Sequence, residues 1–159
     1  MKRILGLVEG KSPLAVQAAT PRKLARLVRG ISCRRLAKRS APGKWSAAEI
    51  LAHLSDTEVV GAYRIRMMLG TNGTPIQAID QDRWARSGNY ARRDPRRSLE
   101  EFRVLRRKNL ELLRSLPRKK WNHYGRHQER GKETIARFVR LYAGHDLNHL
   151  RQIEGVLSP

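Results

Sequence analysis

The sequence predicts an all-α four-helix bundle, and three observations lead to this fold class. Four long segments carry apolar residues at spacings of three and four, which is typical of amphipathic helices. Glycine and proline fall mainly between these segments, and no segment alternates with period two. Residues 70–97, between the second and third helices, are too many for a plain turn between neighbours. We therefore expect a long crossover there, as in some helical bundles.

The first helix is predicted over residues 21–38. Thr20 is suitable as its N-cap, and Pro21 fits the first turn, where no backbone N–H is needed. Leu24, Leu27, Val28 and Ile31 form its apolar stripe. Residues 41–43 then form a break, and the segment before Thr20 is interpreted as a short helix or an arm.

The second helix is predicted over residues 46–69. Ser46, followed three residues later by Glu49, has the pattern of a capping box. The face expected to point inward consists of Ile50, His53 or Leu54, Thr57, Val60 or Gly61, Ile65 and Met68.

The third helix is predicted to open at a second capping box, Ser98 with Glu101, and to end before Pro117. Its inner face contains Leu99, Phe102, Leu105, Asn109, Leu112 and Leu116. Residues 117–131 are predicted as a loop. The fourth helix is predicted over residues 132–157, with the inner face Ile135, Phe138, Tyr142, His145, His149, Gln152 and Val156.

Length and composition exclude several classes of protein. The 159 residues suit one domain, residues 1–159, and 40% hydrophobic residues exclude a disordered chain. The single cysteine, Cys33, cannot form an intrachain disulfide. Without an apolar segment of membrane-spanning length or a signal-peptide core, the chain is expected in the cytoplasm and not in a membrane.

The net charge of +20 is the unusual feature of the composition. Basic residues are spread along the chain, and residues 21–39 contain no acidic one. A chain of this charge attracts polyanions, so weak, non-specific binding of nucleic acid is expected. No helix-turn-helix or zinc-finger motif accompanies the charge, and a solvated basic surface is the alternative interpretation.

Three histidines are the candidate metal ligands. His145 and His149 stand four apart on one helix, so they face the same side, and His53 faces the interior from the second helix. Three imidazoles leave a divalent ion at least one open position, as in catalytic sites. A hydrogen-bonded pair of core histidines is the alternative. The string H-D-x-x-H differs from the zinc-peptidase motif H-E-x-x-H at Asp146, which speaks against peptidase chemistry. On an ideal helix Asp146 is rotated about 100° from His145, so it is expected to point away from the bundle seam.

Four further residues are candidates for supporting roles. Asp56, three residues after His53, could accept a hydrogen bond from an imidazole N–H, or it could be a surface carboxylate paired with Arg64 or Arg66. Trp84 and Tyr90, in the long connection, are candidates for a pocket wall, with core packing as the alternative for Trp84. His127 is interpreted as a residue of the surface or of the pocket rim, with contact to the site from its loop as the alternative.

Three segments of the chain resemble the DinB/YfiT-like superfamily. GKWSAAEILAHLSDTEVVGAYRIRMML is similar to its W-S-x-x-E-x-x-x-H-L-x-D-x-E segment, and DQDRWARSGNY is similar to its D-x-W…Y stretch. The segment GRHQERGKETIARFVRLYAGHDLNHLRQIEGVL resembles its closing H-D-x-x-H-x-x-Q-I region. The resemblance covers about residues 14–157. It implies a four-helix bundle, a divalent metal, usually zinc or nickel, held by His53, His145 and His149, and often a homodimer.

The resemblance also implies a small-molecule enzyme. Characterised members include S-transferases that use a low-molecular-weight thiol such as bacillithiol, mycothiol or glutathione, so a thiol S-transferase is the first hypothesis. A metal-dependent hydrolase is the alternative. The third possibility is a non-catalytic, metal-containing protein that binds nucleic acid through its basic surface. For an enzyme, we expect an open metal position that faces a pocket lined partly by residues 70–97.

Overall fold

The computed structural model describes residues 2–158, and four long helices dominate this part of the chain. The helices are α1 (Lys2–Gly6), α2 (Pro13–Leu27), α3 (Cys33–Leu36), α4 (Ala47–Gly70), α5 (Gln81–Ser87), α6 (Pro95–Ser115) and α7 (Ile135–Leu157). The strands are β1 (Thr74–Ile76), β2 (Tyr124–His127) and β3 (Gly131–Thr134). Short 3-10 helices cover Tyr90–Arg92 and Arg118–Asn122.

The predicted four-helix bundle is confirmed, and α2, α4, α6 and α7 form it. Helix α4 packs against α6 and α7, and α2 packs against the same two helices from the other side. Their buried apolar faces form two clusters. One surrounds Leu51, Phe102 and Ile153, and the other surrounds Met68, Ile135 and Phe138. No helix among residues 2–158 combines the length and apolar character needed to cross a bilayer.

The predicted limits of the first helix are wrong. Helix α2 begins at Pro13, where the Ser12 hydroxyl accepts a hydrogen bond from the Ala15 backbone N–H. Ser12-Pro13 and Thr20-Pro21 are both typical of a helix start, and the helix begins at Ser12-Pro13. Thr20 is buried inside the helix and donates to the Val16 carbonyl, while Pro21 follows it without ending the helix. The basic stretch after Leu27 leaves the helix and forms only the single turn of α3.

The start of α4 agrees with the sequence prediction. The Ser46 hydroxyl accepts from the Glu49 backbone N–H at 3.2 Å, and the Glu49 carboxylate accepts from the Ser46 N–H at 2.8 Å. Both donors would otherwise lack a helical partner, so the capping box fixes where the helix begins. Arg39 also pairs with the Glu49 carboxylate and ties the preceding loop to this point.

The predicted capping box of the third helix is wrong. Helix α6 begins one turn earlier, because Asp94 caps the backbone N–H groups of Arg96 and Arg97, and Pro95 occupies the first helical position. Ser98 is buried within the helix. The buried face also differs from the predicted one and consists of Pro95, Ser98, Phe102, Arg106, Asn109, Leu110 and Leu113.

A three-stranded sheet replaces parts of the two predicted connections. Strand β1 pairs in parallel with β2, and β2 pairs antiparallel with β3. The strands have three or four residues each, too few for a periodic signal. Gly125 allows β1 to come close, since a Cβ there would lie 2.2 Å from the Ile76 side chain. The sheet joins the end of α4 to the start of α7. Thr134 caps α7, so this helix begins at Ile135, three residues later than predicted.

Candidate metal centre

Three imidazoles meet between helices α4 and α7. The Nε2 atom of His145 lies 3.0 Å from Nε2 of His53 and 3.0 Å from Nε2 of His149. The ligand atoms of all three lie within 4.8 Å of one another. Helical spacing explains the pair on α7, because residues four apart stand one above the other. The packing of α4 against α7 brings the third imidazole to them.

Burial keeps these imidazoles uncharged. It lowers the pKa of His53 to about 3, with a smaller contribution from His149. Burial also lowers the pKa of His149 to about 4, an effect that the nearby Gln152 side chain partly offsets. The pKa of His145 falls well below its ordinary value for the same reason. The neutral form is the one that binds metal ions.

The contacts fit a metal ion better than they fit hydrogen bonds among the histidines. A neutral imidazole has one donor and one acceptor nitrogen, so the His145 Nε2 atom cannot bond well to both neighbours at once. The Nδ1 atoms of His145 and His149 are buried and have no hydrogen-bond partner among the described residues. In a tetrahedral site with bonds of 2.0–2.1 Å, ligand nitrogens lie about 3.3 Å apart, close to the two distances of 3.0 Å from the His145 Nε2 atom. An ion between the three Nε2 atoms would take the lone pair of each, whereas the two Nδ1 atoms lack a partner in either arrangement.

A cavity of about 320 Å³ opens beside this cluster. His53 and His145 form part of its wall, whereas His149 lies behind them. Trp84 of α5 and Tyr90 also line it, so the long connection covers the side of the bundle that carries the imidazoles. Most of the remaining wall is apolar and comes from Ile4, Val60, Ile79, Phe138 and Leu141.

The Asp56 carboxylate lies in the cavity wall, but its partners differ from those predicted. It accepts a hydrogen bond from the Tyr90 hydroxyl at 2.8 Å and pairs with Arg93 at 2.6 Å. Burial and the bond to Asp56 raise the pKa of Tyr90, so its hydroxyl stays protonated. Arg64 and Arg66, the predicted partners, bind the carbonyl oxygens of Gln77 and Ala62 instead.

His127 lies on β2 and is buried outside the wall of this cavity. Its Nδ1 atom accepts a hydrogen bond from the Glu129 backbone N–H at 3.1 Å. The interpretation of His127 as a residue of the pocket rim therefore does not match its position.

Sequence reasoning missed a charged network behind the imidazoles. The buried Arg106 guanidinium pairs with Glu58 at 2.8 Å and with Asp146 at 2.5 Å. The prediction that Asp146 points away from the bundle seam is wrong, because this residue is 1% exposed. The available signal was the position of Arg106 four residues after Phe102 and three before Asn109, on the inner face of α6.

Known proteins resemble this chain in sequence and in structure. The sequence model of the DinB superfamily matches residues 18–153. A protein of Oceanobacillus iheyensis named "Putative metal-dependent hydrolase" is 25% identical over 133 residues, 84% of this chain and 77% of the relative. A second protein of that organism, with the same descriptive name, is 22% identical over 136 residues, 86% of this chain and 78% of the relative.

Two solved structures share the fold. YfiT from Bacillus subtilis, described as "a probable metal-dependent hydrolase with an unusual four-helix bundle topology", matches with a TM-score of 0.84 at 22% identity, over 91% of this chain and 83% of YfiT. The mycothiol-dependent maleylpyruvate isomerase matches with a TM-score of 0.65 at 11% identity, over 85% of this chain and 58% of the isomerase.

Proposed function

Because the chain belongs to the DinB superfamily, we propose that it is a metal-dependent enzyme in which His53, His145 and His149 hold one divalent ion. One observation carries this proposal: the Nε2 atoms of three uncharged imidazoles lie close together beside a cavity large enough for a small substrate. The names of the two relatives and of YfiT, which all refer to metal dependence, support it.

The donor set suits a catalytic ion. Imidazole nitrogen is a good ligand for zinc and for nickel. No carboxylate among residues 2–158 joins the three histidines in one cluster, so an ion held there keeps at least one position for another ligand. A divalent ion in such a site supplies Lewis acidity and makes a water or a thiol acidic enough to lose its proton near neutral pH.

Side chains near the histidines enclose the cavity in which a substrate would bind. Trp84, Phe138 and Leu141 give the cavity apolar walls, so a substrate that fills it would displace water and its electrostatic interactions would be strengthened. Arg93 and the Tyr90 hydroxyl hold the Asp56 carboxylate in the wall. The ring of Trp45, with its centroid 4.9 Å from that of His53, packs against this imidazole and fixes its orientation.

Hydrolysis is the reaction that we propose first, because the names of the relatives point to it. Thiol S-transfer is the second candidate, and two observations favour it. The isomerase that shares the fold is mycothiol-dependent. In addition, Asp56 is already bound by Tyr90 and Arg93, so it is poorly placed to accept a proton from water.

Metal analysis combined with two activity assays tests this proposal. The protein, loaded in turn with zinc and with nickel, is assayed for release of nitrophenol from nitrophenyl esters without thiol. It is then assayed for conjugation of chlorodinitrobenzene with glutathione, bacillithiol or mycothiol. We expect one ion per chain and activity in one assay, both lost in His145→Ala. The control is His123→Ala, which removes an imidazole bound to the Met68 carbonyl, outside the cluster.

Each result has a clear consequence. Ester hydrolysis without thiol supports the hydrolase, and activity that requires a thiol supports the S-transferase. Unchanged metal content in His145→Ala, or no bound metal in the parent after loading, contradicts the site. Bound metal with neither activity contradicts both reaction classes for the substrates used and leaves a non-catalytic role.

A further inference from the structure

Among residues 2–158, one positive charge in the wall of the cavity beside the histidines has no carboxylate paired with it. Arg64, Arg130 and Asp56 are the charged side chains in its wall besides the histidines. Asp56 is paired with Arg93. Arg130 donates from Nε and Nη2 to the two carboxylate oxygens of Glu133, at 3.1 and 3.0 Å. These four charges balance in pairs, and Arg64 is the one left over.

Arg64 is half-buried, and the bond that its guanidinium makes goes to a neutral group, the Gln77 carbonyl oxygen. Among the described residues, no carboxylate lies within ion-pair distance of it. Burial lowers the pKa of Arg64, and the opposing charges of Arg130 and Glu133 have smaller effects. A cation taken out of water without an anionic partner is costly, so an incoming anion would recover part of this cost.

Arg64 and His53 line the same cavity, and both lie on one face of α4. His53, Thr57, Val60 and Arg64 are spaced by four, three and four residues, and all four line the cavity. Given the rise per residue of an α-helix, the Cα atoms of His53 and Arg64 lie roughly 16 Å apart. Helical side chains tilt toward the N-terminus, so the Arg64 side chain leans toward the imidazoles and shortens this span.

The wall between these two ends is mostly apolar, although Thr57 and Gln81 also line the cavity. Val60, Ile79 and Trp84 surround the cavity on the Arg64 side. The same three side chains and Arg64 also border an adjoining groove of about 610 Å³, so the guanidinium stands where the two spaces meet. A ligand with an apolar middle and an anionic end matches this arrangement.

We propose that Arg64 binds an anionic group of the substrate, a carboxylate or a phosphate, while the reacting end of the same molecule reaches the three histidines. This inference rests on the proposed metal-dependent function and adds the substrate class, small organic acids. The planar guanidinium suits both groups, since its parallel N–H bonds match two oxygens of a carboxylate or a phosphate.

Thiols with different far ends test the proposal without knowledge of the substrate. A thiol occupies the open metal position, and its binding changes the absorption spectrum of the Co(II)-loaded protein. The probes are mercaptoalkanoates and mercaptoalkyl phosphonates of three to six carbons, each compared with the mercaptoalcohol of equal length. The readout is the ratio of the dissociation constants of alcohol and acid.

We expect the parent to bind an acid of suitable length roughly tenfold more tightly than the matching alcohol, the gain typical of one charged hydrogen-bonded pair. Arg64→Met should remove this preference, and Arg64→Lys should keep part of it. Arg66→Met is the matched control, because Arg66 is an exposed arginine on the same helix and binds the Ala62 carbonyl. The ion attracts the acid equally in the parent and in Arg64→Met, so the comparison isolates Arg64.

The outcomes separate this inference from the function on which it rests. If the parent binds acids and alcohols equally at every length, the proposed role of Arg64 is overturned and the metal site is unaffected. This measurement uses the parent alone, so it holds even if a variant fails to fold. A preference that survives in Arg64→Met overturns it as well. If no thiol changes the Co(II) spectrum, the open metal position is wrong and both proposals fall. Of the two anions, the one with the larger preference identifies the substrate group.

Discussion

Removal of the buried Arg106 charge should destabilise the bundle more than any comparable surface change. The Arg106 guanidinium is 2% exposed and joins three other helices. It pairs with Glu58 of α4 and Asp146 of α7, and it donates to the Gln17 carbonyl of α2 at 3.0 Å. Arg106→Met keeps the apolar stem of the side chain and leaves two buried carboxylates without their cation.

The magnitude follows from burial. Removing one partner of a buried ion pair costs about 3–5 kcal/mol, because the remaining charge stays out of water. Two carboxylates remain here, so we expect at least this loss, a large part of the roughly 5–15 kcal/mol that stabilises a typical domain. Arg103→Met is the matched control on the same helix. Arg103 pairs with Glu100, both more than half exposed, so water screens the pair and its loss should cost much less than the loss of Arg106.

Urea unfolding of the metal-free proteins, followed by circular dichroism at pH 7, measures both losses. A third variant combines Arg106→Met with Glu58→Leu and Asp146→Leu. It should recover most of the stability, since no buried charge remains unpaired, and Asn109 keeps its bond to the residue 58 carbonyl. A loss in Arg106→Met no larger than that in Arg103→Met would contradict a stabilising role of the buried Arg106 charge. A triple variant no more stable than Arg106→Met would contradict the cost assigned to the unpaired carboxylates.

Three further predictions concern the metal centre, the α1 contact and the surface charge. The folded-state pKa values of His53 and His149 lie near 3 and 4, below the ordinary value of 6.5, so the unfolded chain takes up protons first as the pH falls. The unfolding free energy of the metal-free protein should therefore decrease from pH 7 toward pH 4, and metal affinity of the folded protein should change little between pH 7 and 5. Urea titrations and metal competition measure these two effects, and a steep loss of affinity near pH 6.5 would contradict the second. Gly144→Ala should lower stability in thermal unfolding, because its Cβ would lie 2.3 Å from a backbone oxygen of α1. Gly155→Ala is the control on the same helix. It has open space around it and should raise stability by up to about 1 kcal/mol. Nucleic-acid binding should be weak, independent of sequence and abolished by salt in fluorescence titrations, and tight binding of one sequence at physiological salt would contradict it.

The sequence predicted the elements whose signals are local and repeated. The spacing of apolar residues predicted the four long helices, and the Ser46 capping box predicted the start of α4. Spacing also placed His145 and His149 on one face of a single helix. It could not place the strands, because each has only three or four residues and because β1 pairs with β2 some fifty positions away, Thr74 with Gly125 for example. Nor could it choose between two start signals of the same chemistry, as at Pro13 and Pro21.

The wrong orientation of Asp146 follows from the geometry of a bundle. A residue next to His145 is rotated about 100° around the helix axis, which on a helix with one apolar face means exposure to solvent. Each helix of this bundle packs against two neighbours, and α7 contacts both α4 and α2. The rotation therefore moves a side chain from the interface with α4 into the core shared with α2 and α6, where Asp146 meets Arg106. Consecutive residues of α7 thus serve two interfaces, so the ion pair of Asp146 helps to fix the rotation of the helix that presents His145 and His149 to the cavity.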